Sequence, residues 1–126
     1  MENKKIGWIL RIALFGEFLG HGIFALQLKQ SFLDMIISVL GVSLVSAQKI
    51  LIIIGAMNII VALFALIYPF RLMLIWASIW GFATGLARPL SGDPIWDFVE
   101  RWANIGVPLA LLYIKGIPKK LKDWFK

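Results

Sequence analysis

"IGWILRIALFGEFLGHGIFALQL", residues 6–28, decides how the rest of the chain is read. As an α-helix these 23 residues rise about 34 Å at ~1.5 Å each, enough to cross ~30 Å of hydrocarbon with some tilt. Within this apolar run stand the chain's single histidine, His21, and Glu17 one helical turn before it. A charged group at the centre of a span costs about 2.5–3.5 kcal/mol, so an ionisable pair there marks function by default.

Composition extends the membrane reading to the whole chain. Of its 126 residues, 60% are hydrophobic and 16% charged, and the mean hydropathy is +0.86. A water-soluble fold of this size cannot bury so much apolar surface, so the excess is expected to face lipid, with residues 1–126 forming a single membrane domain. The net charge of +6 does not point to nucleic acid. Lys4 and Lys5 precede the first apolar run, and Lys115, Lys119, Lys120, Lys122 and Lys126 follow the last one, as expected for cytoplasmic flanks. The chain has no cysteine, which excludes disulfides, thiolate chemistry and iron–sulfur clusters, and one histidine leaves no multi-histidine metal or haem site. Arg11 and Glu17 interrupt the first run and no A-x-A-like site follows it, against a cleaved signal peptide.

Four spans are expected, at about 6–28, 48–68, 71–88 and 94–114. After the polar "KQ" (Lys29–Gln30), Ser31 is placed to N-cap a short helix over 31–40, with Leu33, Ile36, Ile37 and Leu40 at helical spacing. That helix is too short to span and reads as re-entrant or interfacial, followed by a loop around "GVSLVS". Pro69 ends the second span, and Arg71 in "YPFR" is expected to snorkel at the surface. In "RPLSGDP", Asp93 is the expected N-cap and Pro94 the first helical residue of the fourth span. Gly116 and Pro118 break the chain, and 117–126 reads as an amphipathic interfacial tail. The fold class is therefore all-α: an integral membrane four-helix bundle with a short helix between its first two spans. Both termini fall on one side. Lys4, Lys5, Arg11, Arg71 and the five C-terminal lysines lie there, against Lys29, Lys49, Arg88 and Arg101 on the other, which makes it the cytoplasmic side of an inner membrane.

Each span carries a small or polar stripe of the kind through which membrane helices pack. Gly16 and Gly20 mark the first, Gly55 and Ala62 around Asn58 the second, and Ala77, Gly81 and Gly85 beside Thr84 and Arg88 the third. The fourth presents Asp97, Glu100, Arg101 and Asn104 at i, i+3, i+4 and i+7. These groups fall at similar depths and imply a polar cluster in the outer half. Asp97 is expected to pair with Arg101, and Arg88 with Glu100, which leaves Glu17 either protonated or sharing a proton with His21. The same ion pairs also suit a purely structural role, fixing helix register. Pro108 removes an N–H, so the Asn104 carbonyl is expected to be free for a ligand or water. Trp96 and Trp102 could donate into the cluster, while Trp76 and Trp80 face lipid or line a cavity.

Arg11 followed by His21–Gly22, the short helix before the second span, and "LIIIGAMNIIVAL" (Leu51–Leu63) resemble the DoxX-like membrane proteins. The resemblance runs from about Leu10 to Ile114. It implies a small four-helix membrane protein linked to quinone-coupled sulfur or thiol redox enzymes, often as a non-catalytic subunit. The leading expectation is thus an inner-membrane subunit, not catalytic alone, that holds a quinone or similar amphipathic ligand for a redox partner. Glu17 and His21 are its candidate proton relay. Asn58, Thr84, Arg88, Trp96, Asp97, Glu100, Arg101 and Asn104 are its candidate ligand contacts. An electron-carrying cofactor would come from the partner, and no metal site is expected. Two other readings stand beside it: a structural or assembly subunit of a larger membrane complex, and a small homo-oligomeric transporter or channel.

Overall fold

The computed structural model describes residues 2–126, with side chains from Lys4 onward. Six helices follow one another: α1 (Glu2–Leu26), α2 (Gln30–Leu40), α3 (Leu44–Ile67), α4 (Arg71–Leu90), α5 (Ile95–Val99) and α6 (Trp102–Lys115). A 3-10 turn, Leu121–Phe125, closes the chain, and no strand occurs among the described residues. Two stretches are long and apolar enough to cross a membrane: Lys4–Leu26 in α1 and Leu44–Ile67, the whole of α3. α6 has 14 residues, about 21 Å at ~1.5 Å each, and is too short to do so by itself.

The helix ends show which local interactions prevail. α1 stops two residues before the expected Leu28, because Leu28 takes a left-handed conformation, φ 54°. The Lys29 N–H then donates to the Phe24 carbonyl at 3.1 Å and the Leu28 N–H to Ala25 at 3.0 Å, which is a Schellman closure with leucine where glycine is usual. α2 begins at Gln30, so Ser31 lies in its first turn and is not its cap. Lys29 holds the cap position without a side-chain bond. α3 begins four residues earlier than expected, at Leu44. The Ser43 hydroxyl accepts the Ser46 N–H at 3.2 Å, and the loop shrinks to Gly41–Ser43.

The expected fourth span is broken. Pro94, not Asp93, occupies the N-cap position of α5. At Arg101 the backbone N–H turns to Phe98, three residues back, at 3.1 Å. The Asp97 carbonyl, which an unbroken helix would bond to that N–H, receives the Arg101 guanidinium instead, at 3.3 Å. The side chain replaces the backbone bond, and α5 and α6 are separate segments.

α1 packs along α3 and α4 along α6, with α1 and α6 joining the two pairs, while α3 and α4 touch little. The main core is formed by Leu14 and Phe18 of α1, Val61, Ala62 and Ala65 of α3, Met73, Leu74 and Ala77 of α4, and Leu111 and Leu112 of α6. A second, smaller core of Ala25, Leu33, Ala47 and Leu51 seats α2 on α1 and α3.

The expected glycine contacts are partly redistributed. A Cβ on Gly16 or Gly20 would meet nothing within 4 Å, so neither admits a helix of this chain. Gly22 does so, against Ile59 and Asn58, and Gly55 does so against Leu26 and Ala25. On α4 the expected stripe holds. A Cβ on Gly81 would stand 2.8 Å from the Asn104 carbonyl oxygen, and one on Gly85 would stand 3.1 Å from Phe98.

Two arginines secure helix ends. Arg11 donates through Nε to the Ala65 carbonyl at 3.0 Å and through Nη2 to that of Leu66, capping the last turn of α3, while its guanidinium lies 3.9 Å from the Trp8 ring centroid. Arg71 is engaged by backbone. It donates to the carbonyls of Lys115, Gly116, Asp123 and Lys126 at 2.5, 2.6, 3.2 and 3.1 Å. The Tyr68 hydroxyl donates to the Phe125 carbonyl at 2.5 Å, and Trp124 packs on the main core. The C-terminal segment is therefore fastened to the α3–α4 turn, with Leu121 and Phe125 facing outward.

Candidate functional site

Two cavities adjoin beneath α2. The first, a chamber of about 310 Å³, is mainly apolar. α1 supplies Glu17, Phe18, His21 and Ala25 to its wall, and α3 supplies Ile50, Leu51, Ile54 and Asn58. α4 contributes Trp80, Ala83, Thr84, Ala87 and Arg88, and Phe32, Met35, Ile36, Val39 and Leu40 of α2 cover it. Arg101 and Asn104 reach it from the α5–α6 side. The second, a polar vestibule of about 400 Å³, is bordered by Lys29, Asp34, Asp93 and Asp97. His21, Phe32, Met35, Arg88 and Arg101 border both, so these five stand between an apolar cavity and a charged one.

Seven of the ten expected site residues therefore line the chamber: Glu17, His21, Asn58, Thr84, Arg88, Arg101 and Asn104. Asp97 borders the vestibule alone. Trp96 is 70% exposed and lines neither cavity, so its indole does not serve the cluster. Trp102 is also exposed, stacking edge-on against Phe98 at 6.1 Å. Glu100, at the α5–α6 break, is turned outward and lines neither cavity.

The ion pairs differ from those expected, and the break explains why. With Glu100 turned outward, the Arg101 Nη1 pairs with its carboxylate at 2.8 Å and touches Asp97 only at the backbone. Arg88 loses its expected partner. It is 8% exposed, donates to the Thr84 carbonyl at 2.8 Å and contacts the Met35 sulfur at 3.7 Å. Among the described residues it forms no salt bridge. Glu17 and His21 likewise make no ion pair with each other, though both face the chamber.

Asn58 is the most constrained polar group. It is 3% exposed, in the middle of α3, and its Oδ1 has no hydrogen-bond partner. A buried acceptor left unpaired costs about 1–3 kcal/mol. The Asn104 carbonyl, expected to be free for a ligand, is packed against Gly81. The next carbonyl, that of Ile105, accepts the Ser78 hydroxyl at 3.0 Å.

Sequence reasoning missed the contribution of α2 and the aliphatic wall of α3. The helical spacing of apolar residues in α2 revealed that it has a buried face, but not what that face covers. Trp80, which could have faced lipid or a cavity, lines the chamber and stacks on Trp76 at 5.8 Å. No protein-family model, curated protein or solved structure matches the chain.

Proposed function

We propose that this chain is a four-pass inner-membrane protein that holds the headgroup of a quinone, or a similar amphipathic ligand, in the chamber beneath α2 for a redox partner, in the manner of a DoxX-like subunit. The outward faces support the membrane setting. Ile9, Ile12, Ile53, Ile60, Ile67 and Ile79 are all more than half exposed, a surface suited to lipid and unsuited to water. α4 and the α5–α6 pair complete the four passes, the last one interrupted at Arg101. Both termini lie on the cytoplasmic side, following the lysine bias.

The observation that carries the ligand reading is the unpartnered Oδ1 of Asn58, nine-tenths buried and lining a mainly apolar chamber. A quinol hydroxyl supplies the donor that this oxygen lacks. The guanidinium of Arg88, free of any carboxylate among the described residues, supplies a donor to a quinone carbonyl. Glu17 and His21 flank the same space and exchange protons with the headgroup, not directly with each other.

The test is titration of the protein in lipid nanodiscs with a tailed benzoquinone, read by tryptophan fluorescence. Of the six tryptophans only Trp80 lines the chamber, so saturable quenching is expected and is largely lost in Trp80→Phe. Quenching that never saturates, together with purified protein free of quinone, would sink the reading.

A second reading, an assembly subunit, is favoured by Gly16 and Gly20, which leave a small-residue stripe of α1 open to a helix from another molecule. It predicts that Gly16→Leu separates the complex while Glu17→Gln and His21→Ala leave it assembled and active.

A further inference from the structure

The chamber lies where α3 and α4 fail to meet. Tyr68, Pro69 and Phe70 alone connect these helices, yet each packs on a different neighbour and a seam runs between them. On one side of the chamber the seam is closed by the Trp76 indole N–H, 3.4 Å from the Met57 sulfur. On the other it is bordered by Val39 and Leu40 at the end of α2. Between these two limits the wall consists of Ile50 and Ile54 on α3 and Ala83 and Ala87 on α4. Ala83 lines the chamber and is itself exposed, so at this point only one small side chain of α4 narrows the seam.

Two further facts bear on what passes through it. At about 310 Å³ the chamber is at the small end of ligand pockets, so it holds a headgroup and cannot enclose a long tail. The other way out is the vestibule, where a hydrocarbon chain would lie against Lys29, Asp34, Asp93 and Asp97 and desolvate them. The geometry points to the α3–α4 seam as a lateral portal: a single-tailed, isoprenoid-type ligand slides in from the bilayer, sets its headgroup against Asn58 and Arg88, and leaves its tail in the seam between Ile54 and Ala83. This inference rests on the ligand reading above. It adds that the site is loaded from lipid, while the vestibule serves only water, protons and small polar molecules.

The experiment compares a long-tailed quinone with its tail-less parent on wild-type protein and on Ala83→Trp, which fills the seam at that point. The variant is expected to slow uptake of the long-tailed quinone on the order of tenfold more than it slows uptake of the tail-less compound, which arrives through the vestibule. Retained binding of the tail-less compound also reports that the variant is folded. Ile53→Trp, on the exposed face of α3, is expected to change neither. Uptake of the long-tailed quinone by Ala83→Trp at the wild-type rate overturns the portal. A measurement on unaltered protein stands beside it, using a quinone with a photoreactive group on the part of its tail nearest the headgroup. Labelling at Ile50, Ile54, Ala83 or Ala87 supports the portal, and labelling at Lys29, Ser31 or Asp93 overturns it. If wild-type protein binds neither quinone, the ligand reading itself fails, which is a different result from equal uptake by wild type and variant.

Discussion

The carbonyl oxygen of Asn104 lies 2.8 Å from the point where a Cβ on Gly81 would stand. Pro108 has no N–H to occupy that carbonyl, and the absence of a side chain on Gly81 lets α4 and α6 close on it. The obstacle is backbone, which cannot swing aside like the end of a long side chain. Gly81→Ala is therefore expected to destabilise the bundle by about 1–3 kcal/mol, read as a lower denaturation midpoint in detergent micelles. Gly81→Leu is expected to prevent folding. An unchanged midpoint in Gly81→Ala would show that the helices do not approach so closely.

Gly16 and Gly20 are the contrasting pair. In sequence they look like the same device, four residues apart on one face, yet a Cβ at either position meets nothing within 4 Å. Replacing both with alanine is expected to leave the fold intact and to raise its stability by up to about 1 kcal/mol per site through helix propensity. A clear loss of stability in the monomer would place a helix of this chain against them.

That contrast shows how far the sequence could be read. Polar groups inside apolar runs stand out wherever the fold takes them, which is why Glu17, His21, Asn58 and Arg88 were recognisable and do border one chamber. Which glycine of a helix faces a neighbour depends on helix rotation, and Gly22 rather than Gly16 or Gly20 proved to be the close contact. The break at Glu100–Arg101 has no glycine or proline to announce it. It depends on a guanidinium accepting the role of a backbone N–H toward Asp97. Arg11 was likewise opaque, because its partners are the backbone carbonyls of Ala65 and Leu66, and a carbonyl carries no residue identity.

Arg71 holds four carbonyls of the C-terminal region in one guanidinium, together with a backbone N–H that reaches Lys126 at 3.3 Å. Lysine has a single ammonium and cannot reproduce that fork. In Arg71→Ala the segment from Ile117 onward is expected to come loose, so trypsin cuts at Lys119, Lys120 and Lys122 at least several-fold faster than in wild type, with Arg71→Lys in between. Mass spectrometry of the limited digest reads the sites directly. Equal cleavage rates in all three proteins would mean that Trp124 and Tyr68 hold the segment without Arg71.

Asn58 sets stability against binding in a way that one substitution separates. Its Oδ1 is buried without a donor, so Asn58→Leu removes an unpaired acceptor from an apolar wall and adds packing beside Ile54 and Leu51. The variant is expected to be more stable than wild type in the absence of ligand, by about 1–3 kcal/mol. It is also expected to bind the tailed quinone at least tenfold more weakly, since the lost contact is a buried hydrogen bond worth roughly 1.4 kcal/mol or more. Saturating ligand narrows that gap by about 1.4 kcal/mol for each tenfold difference in Kd, because binding to the folded state alone adds stability in proportion to the logarithm of ligand concentration over Kd. Denaturation midpoints of both proteins, measured with and without the quinone, test all three statements together. A residue kept only for packing gives the opposite result: Asn58→Leu would be less stable without ligand and would gain from the quinone as much as wild type does.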